Sequence, residues 1–173
     1  MNVRPEQLRL YAVTDRAWSP DTEDFFRRIG AAIDGGATFV QLREKHMSRE
    51  NFLDEARRFV ALCRSRGVVS IINDNVEIAI EVGADGVHVG QSDLACARAR
   101  ALLGPDKIIG VSCKTVEQAL LAQSHGADYL GVGTWIPAAR QLDHGAGCRK
   151  AERTGVCIAG SGRIRAGDRR GGS

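Results

Sequence analysis

Short aliphatic or β-branched runs recur along residues 1–137, each followed by a longer stretch whose apolar residues return every three or four positions. The runs are Leu8–Val13, Thr38–Leu42, Val68–Ile72, Gly86–Val89, Ile108–Val111 and Tyr129–Val132. Their apolar character is nearly continuous rather than alternating, which predicts strands buried on both faces. The stretches between them predict helices. Asp21–Asp34 carries Phe25, Ile29, Ala32 and Ile33 at helical spacing, and Ser48 opens a helix with Phe52, Ala56, Phe59, Val60 and Cys63 on one side. Val76–Val82, Leu94–Leu103 and Val116–His125 follow. Gly35-Gly36, Gly67, Gly83, Gly104 and Gly126 stand at the C-terminal ends, where glycine commonly stops a helix.

Strand–helix repetition of this kind implies a parallel sheet with right-handed crossovers. Two architectures use it, the open doubly wound sheet and the (β/α)₈ barrel. No G-x-G-x-x-G loop follows the first strand, which weighs against a dinucleotide-binding fold. The lead-in Gly-Ala-Asp or Gly-Ala-Thr recurs at Gly36–Thr38, Gly83–Asp85 and Gly126–Asp128. A repeating helix-to-strand turn favours the barrel.

Composition narrows the function classes. No apolar run approaches the roughly 18 residues a bilayer demands, and no signal-peptide pattern opens the chain. The five cysteines are an odd set without a C-x-x-C pair, and the four histidines lack metal-ligand spacing, so reduced thiols in a cytoplasm are expected. The net charge of +3 is not a property of the whole chain. Residues 1–137 hold 16 Lys and Arg against 18 Asp and Glu, whereas 138–173 hold 8 against 3.

The uncommon polar residues fall at the strand C-termini. Asp15 follows the first strand, Gln41, Arg43, Glu44 and Lys45 end the second, Asn73 and Asp74 the third. His88, Gln91 and Asp93 follow the fourth, Ser112 and Lys114 the fifth, Gly131 and Gly133 the sixth. In a barrel these ends share one face, the one that carries the active site. Arg43 and Lys45 alternate on a strand end and suit a poly-anionic substrate. Asp74 and Asp93 on neighbouring ends suit Mg²⁺, which takes one or two carboxylates together with waters and phosphate oxygens. Each residue alone has a structural reading: Arg43–Glu44 as a rim salt bridge, Asp74 and Asp93 as helix N-caps, His88 as a core histidine bonded to backbone, Cys113 as packing, Lys114 and Glu117 as solvated positions. Their convergence on one mouth favours a site.

Five motifs in order carry a resemblance. Leu10–Asp15 (L-Y-A-V-T-D), Gln41–Lys45 (Q-L-R-E-K), Ile72–Asp74 (I-N-D), Gly86–Leu94 (G-V-H-V-G-Q-S-D-L) and Ile109–Ser112 (I-G-V-S) resemble thiamine phosphate synthase, in register from about Leu8 to Pro137. The resemblance implies an incomplete TIM (β/α)₈ barrel of about six βα units. It implies a cytoplasmic transferase that joins hydroxymethylpyrimidine diphosphate to a thiazole phosphate, forming thiamine phosphate and diphosphate with Mg²⁺. Gln41, Arg43, Lys45 and Asn73 would hold the pyrimidine diphosphate, Asp74 and Asp93 the magnesium, and Ser112 would donate to the diphosphate. Arg43, Lys45 and Ser112 are thus the expected catalytic residues, and the partners are small molecules rather than nucleic acid or membrane. The thiazole tautomerase-like sister group tends to lose the Asn-Asp and Gly-Gln-x-Asp elements, both intact here.

The resemblance stops after the sixth strand. Where the family reads Pro-Thr-x-Thr-Lys, Pro137 is followed by Ala138, Ala139, Arg140 and Gln141. Residues 138–173 hold eight Gly and seven Arg, a composition of disordered chain without the aromatics an RNA-binding tail uses. The expectation is a partial synthase domain over 1–137 and a non-native or disordered basic tail over 138–173, produced by a frame shift near Ile136–Ala138. An inactive fragment, or a remnant that only binds pyrimidine diphosphate, is the alternative.

Overall fold

The continuous apolar runs become six parallel strands in a computed structural model that describes residues 2–90 and 95–132. They are β1 (Tyr11–Val13), β2 (Phe39–Leu42), β3 (Val69–Asn73), β4 (Gly86–Val89), β5 (Ile108–Cys113) and β6 (Tyr129–Val132). Between them run α1 (Thr22–Asp34), α2 (Arg49–Ser65), α3 (Val76–Val82), α4 (Ala95–Leu103) and α5 (Val116–Ser124). The first run begins later than its apolar pattern predicts, because Pro5–Leu8 forms a 3₁₀ turn with Pro5 near its start. The expected tail over 138–173 lies outside the described residues.

Strand order in the sheet equals sequence order, β1 to β6, every pair parallel. A doubly wound sheet would reverse direction at a switch point; this one winds a single way, as the barrel expectation requires. The sheet is also curled. In a flat sheet β1 and β6 would lie about 24 Å apart at ~4.8 Å per strand. Instead the Tyr11 and Tyr129 hydroxyls meet at 2.7 Å, and Asn2 N donates to Asp128 Oδ1 at 2.6 Å.

Curling makes two cores. One packs the helices on the outer face, where Phe25, Phe59, Leu42 and Ile109 are buried. The other fills the concave side with Val3, Leu8, Tyr11, Phe39, Ile71, Ile108 and Tyr129. Gly110 is required there: a Cβ on it would stand 2.0 Å from Tyr129 Cζ.

The repeated lead-in ties neighbouring strands at their N-terminal ends. Its glycines, Gly36, Gly83 and Gly126, take φ of 102°, 67° and 84°, the left-handed region that lets the chain leave a helix. Its third residue then bonds back to the preceding strand. Leu10 N donates to Thr38 Oγ1 at 3.3 Å, Ser70 N to Asp85 Oδ2 at 2.8 Å, and Ile109 N to Asp128 Oδ2 at 3.0 Å. Arg100 of α4 completes the last clamp, with Nη2 at 2.7 Å from Asp128 Oδ2 and at 2.8 Å from the Gly126 carbonyl. With this end fixed, the opposite end carries the polar residues.

Candidate active site

Side chains that point into the curl are joined by one hydrogen-bonded chain running across all six strands. It starts at Asp74, whose Oδ2 lies 2.7 Å from Asn73 Nδ2. Asn73 Oδ1 lies 2.5 Å from Gln41 Nε2, and Gln41 Oε1 accepts from the Tyr11 hydroxyl at 2.7 Å. Tyr11 meets Tyr129 at 2.7 Å. The Tyr129 oxygen lies 3.0 Å from His88 Nδ1, and His88 Nε2 lies 2.8 Å from Ser112 Oγ. The arrangement follows from register, since Asn73 stands opposite His88 and Ser112 opposite Gly131 in the parallel ladder.

Gln41, Asn73, Asp74 and Ser112 are therefore brought together as the sequence predicts. Tyr11 and Tyr129 join them unforeseen, and His88, placed at the fourth strand's end by the sequence, corrects its expectation: its ring nitrogens bond to side chains, not to backbone. Burial holds its pKa down at about 4, opposed by the Asp74 carboxylate, so the imidazole is neutral. Burial likewise drives both tyrosine hydroxyls well above their ordinary range.

Asp74 corrects a second expectation. It does not cap α3; Asn75 does, its Oδ1 accepting from Ile78 N at 2.9 Å. Asp74 instead takes φ +60°, a left-handed conformation uncommon for a residue with a side chain. Strain of this kind, about 1 kcal/mol or more, concentrates at functional sites. The bond from Asn73 engages only Oδ2 of its carboxylate.

The rim bridge expected between Arg43 and Glu44 is also not the one formed. Glu44 pairs with Arg16, whose Nε lies 3.0 Å from Glu44 Oε1 and whose Nη2 bonds Glu55. Arg16 stacks 4.2 Å over the Phe25 ring. It is positioned by Asp15, which caps its turn by accepting from Ala17 N at 3.1 Å. Glu55 is buried, which raises its carboxyl pKa against the lowering effect of Arg16. This brace anchors the segment that presents Arg43 and Lys45. A cavity of about 620 Å³ beside the strand ends is lined by Lys45, Asn73, Asp74 and, from α4, Arg98. Arg98 was not singled out by its sequence position, which reads as one more exposed cation on a helix. Cys113 is buried as a packing residue, and Lys114 and Glu117 are exposed, as expected.

Asp74 is exposed at this end, with one carboxylate oxygen outside the bond from Asn73, and Mg²⁺ takes one or two such carboxylates when phosphate and water complete its shell. Among the described residues no group of three His, Cys, Asp or Glu forms a cage that could hold a metal by itself. Asp93, the other expected ligand, lies outside the described residues.

The fold and the site together define a curled parallel β/α sheet with an amide- and carboxylate-bearing mouth. A family model described as thiamine monophosphate synthase matches residues 10–155, and the chain belongs to that family. It is similar to the chloroplastic thiamine biosynthetic bifunctional enzyme of Arabidopsis thaliana, 53% identical over 137 residues, covering 77% of this chain and 26% of the relative. The thiamine-phosphate synthase of Clostridium acetobutylicum is 49% identical over 125 residues, 72% of this chain and 59% of the relative. That of Shouchella clausii is 45% identical over 136 residues, 79% of this chain and 65% of the relative. Among solved structures, a thiamine phosphate pyrophosphorylase from Pyrococcus furiosus superposes with a TM-score of 0.69 at 33% identity, over 78% of this chain and 64% of that one. The chain thus spans less than two thirds of the length of each of these relatives.

Proposed function

We propose that this protein is a thiamine-phosphate synthase, condensing hydroxymethylpyrimidine diphosphate with a thiazole phosphate to give thiamine phosphate and diphosphate. The single observation that carries the reading is the Gln41–Asn73–Asp74 array on the ends of β2 and β3, opening onto the cleft that Lys45 lines. We read the curled sheet as six βα units of an incomplete TIM (β/α)₈ barrel, and assign the chemistry to residues 1–137. In this reading Gln41 and Asn73 orient the pyrimidine diphosphate, while Arg43 and Lys45 balance the charge that grows as the C–O bond to diphosphate breaks. The electron pair leaves with the diphosphate, and the thiazole nitrogen supplies the pair for the new C–N bond, so no protein nucleophile is required. Mg²⁺, held by Asp74 and Asp93, would add positive charge at the departing diphosphate. We place the protein in the cytoplasm, where the buried thiols of Cys63 and Cys96 would stay reduced.

A second reading is favoured by one specific observation. Ala138, Ala139, Arg140 and Gln141 stand where the family's hydroxyls and lysine grip the thiazole phosphate. A chain lacking that grip would bind pyrimidine diphosphate without turning it over. The test is formation of thiamine phosphate by the full chain from both substrates, with and without Mg²⁺. Mg²⁺-dependent product that is lost in Lys45→Ala supports the synthase. Saturable binding of the pyrimidine diphosphate with no product supports the second reading, and neither binding nor product overturns both.

A further inference from the structure

The interior hydrogen-bonded chain has a direction, and that direction reaches Ser112. A carboxylate only accepts, so Asp74 fixes Asn73 with Nδ2 toward Oδ2 and Oδ1 toward Gln41. Gln41 fills Asn73 Oδ1 from Nε2, which leaves Oε1 for Tyr11, and the Tyr11 hydroxyl donates to it. A hydroxyl has one hydrogen. Tyr11, having given its own to Gln41, can only accept from Tyr129 at 2.7 Å. Tyr129 is then in the same position toward His88, so Nδ1 at 3.0 Å must carry the proton. A neutral imidazole protonated on Nδ1 has a bare Nε2, and the partner of that nitrogen at 2.8 Å is Ser112 Oγ, which must donate. Seven side chains thus satisfy one another with a single sense of donation from Ser112 to Asp74.

We propose that His88 is a positioning residue, held as its Nδ1–H tautomer by this chain, that takes the Ser112 hydroxyl hydrogen while no substrate is bound. For the diphosphate to accept from Ser112, as the family resemblance implies, that hydrogen turns away from His88 Nε2; this last step rests on the synthase reading, whereas the tautomer rests on the hydrogen bonds alone. The opposite sense would aim Asn73 Oδ1 at the Asp74 carboxylate, oxygen against oxygen. The depressed pKa of His88, caused first by burial, agrees with a neutral ring.

The test is a long-range ¹H–¹⁵N correlation spectrum of the full chain with labelled histidine at neutral pH. The His88 signals are assigned by their loss in His88→Gln, which separates them from His46, His125 and His144. A protonated Nδ1 with a bare Nε2 is the result expected; Nε2–H, or a doubly protonated ring, overturns the proposal. Tyr11→Phe cuts the chain between Gln41 and Tyr129 and frees the Tyr129 hydrogen to turn toward Nδ1, so the signal should move to the Nε2–H tautomer. An unchanged tautomer in Tyr11→Phe overturns the claim that the chain sets it. Asn73→Ala, at the exposed end, gives the same comparison if Tyr11→Phe does not fold. Because no substrate is present, a chain without synthase activity leaves this result readable, and a failed tautomer leaves the activity reading intact.

Discussion

Arg100 of α4 places its Nη2 2.7 Å from Asp128 Oδ2, joining a helix on the convex face to a carboxylate buried at the foot of β6. The same guanidinium donates through Nη1 to the carbonyls of Gly104 and Lys107 at 2.8 and 2.7 Å. Removing it takes the guanidinium from a buried carboxylate that keeps the Asn2 and Ile109 amides, and a donor from the Gly104 and Gly126 carbonyls. Arg100→Ala should therefore destabilise the protein by about 1.5–3 kcal/mol. Arg100→Lys should recover less than half, since an ammonium cannot reproduce the planar fork. Urea midpoints at neutral pH decide it; a loss under about 1 kcal/mol in Arg100→Ala would contradict this account.

Asp74 separates chemistry from stability. Asp74→Asn keeps a residue type that tolerates the left-handed backbone and keeps an oxygen that Asn73 can reach, so thermal stability should shift by less than about 1 kcal/mol. If the synthase reading holds, turnover should fall by about a hundredfold or more, the scale seen when one charge-stabilising group is removed. Equal loss of folding and turnover would argue for a structural role instead.

Two glycine substitutions should move in opposite directions. Gly110→Ala drives a Cβ to 2.0 Å from Tyr129 Cζ, so the ring must shift and break the Tyr11 and His88 contacts. A loss of about 1–3 kcal/mol is expected from such overpacking. Gly30 lies inside α1 with nothing within 4 Å of the added Cβ. Gly30→Ala should stabilise by about 0.5–1 kcal/mol through helix propensity. Paired thermal melts compare them directly.

The buried histidine predicts a pH dependence. Folding depresses the His88 pKa from 6.5 to about 4, first through desolvation. Between those values the unfolded chain binds a proton that the folded one refuses. Stability is thus fully present above pH 6.5 and is lost as pH falls toward 4, by on the order of 3 kcal/mol. In His88→Gln that component disappears, so its stability should decline more gently over the same range. Parallel pH profiles of the two proteins, read from denaturant midpoints, would refute the assignment.

Period and punctuation in the sequence reveal the six strands and five helices of the described region, because Gly-Ala-Asp turns and continuous apolar strands are local signals. The ends of Gly86–Val89 and Tyr129–Val132 agree to the residue, and Ser48 caps α2 by accepting from Asn51 N at 3.3 Å. Gln41, Asn73, Asp74 and Ser112 were legible as polar exceptions at strand ends. Tyr11 and Tyr129 were not, since an aromatic inside an apolar strand reads as core, and His88 was placed at a strand end without its side-chain partners. Tyr11 and Tyr129 are 118 positions apart and meet only because the sheet curls. The Arg16–Glu44 pair was hidden for a similar reason: adjacency in sequence suggested Arg43, while the turn after β1 supplied the true partner.

Among the described strands the lead-in clamps fall before β2, β4 and β6, at Thr38, Asp85 and Asp128, and each reaches back one strand. Two of these residues also reach forward: the Thr38 carbonyl accepts from Val69 N at 3.4 Å and the Asp85 carbonyl from Ile108 N at 3.0 Å. One turn residue therefore sets the level of three strands at once, its side chain fixing the strand behind and its backbone the strand ahead.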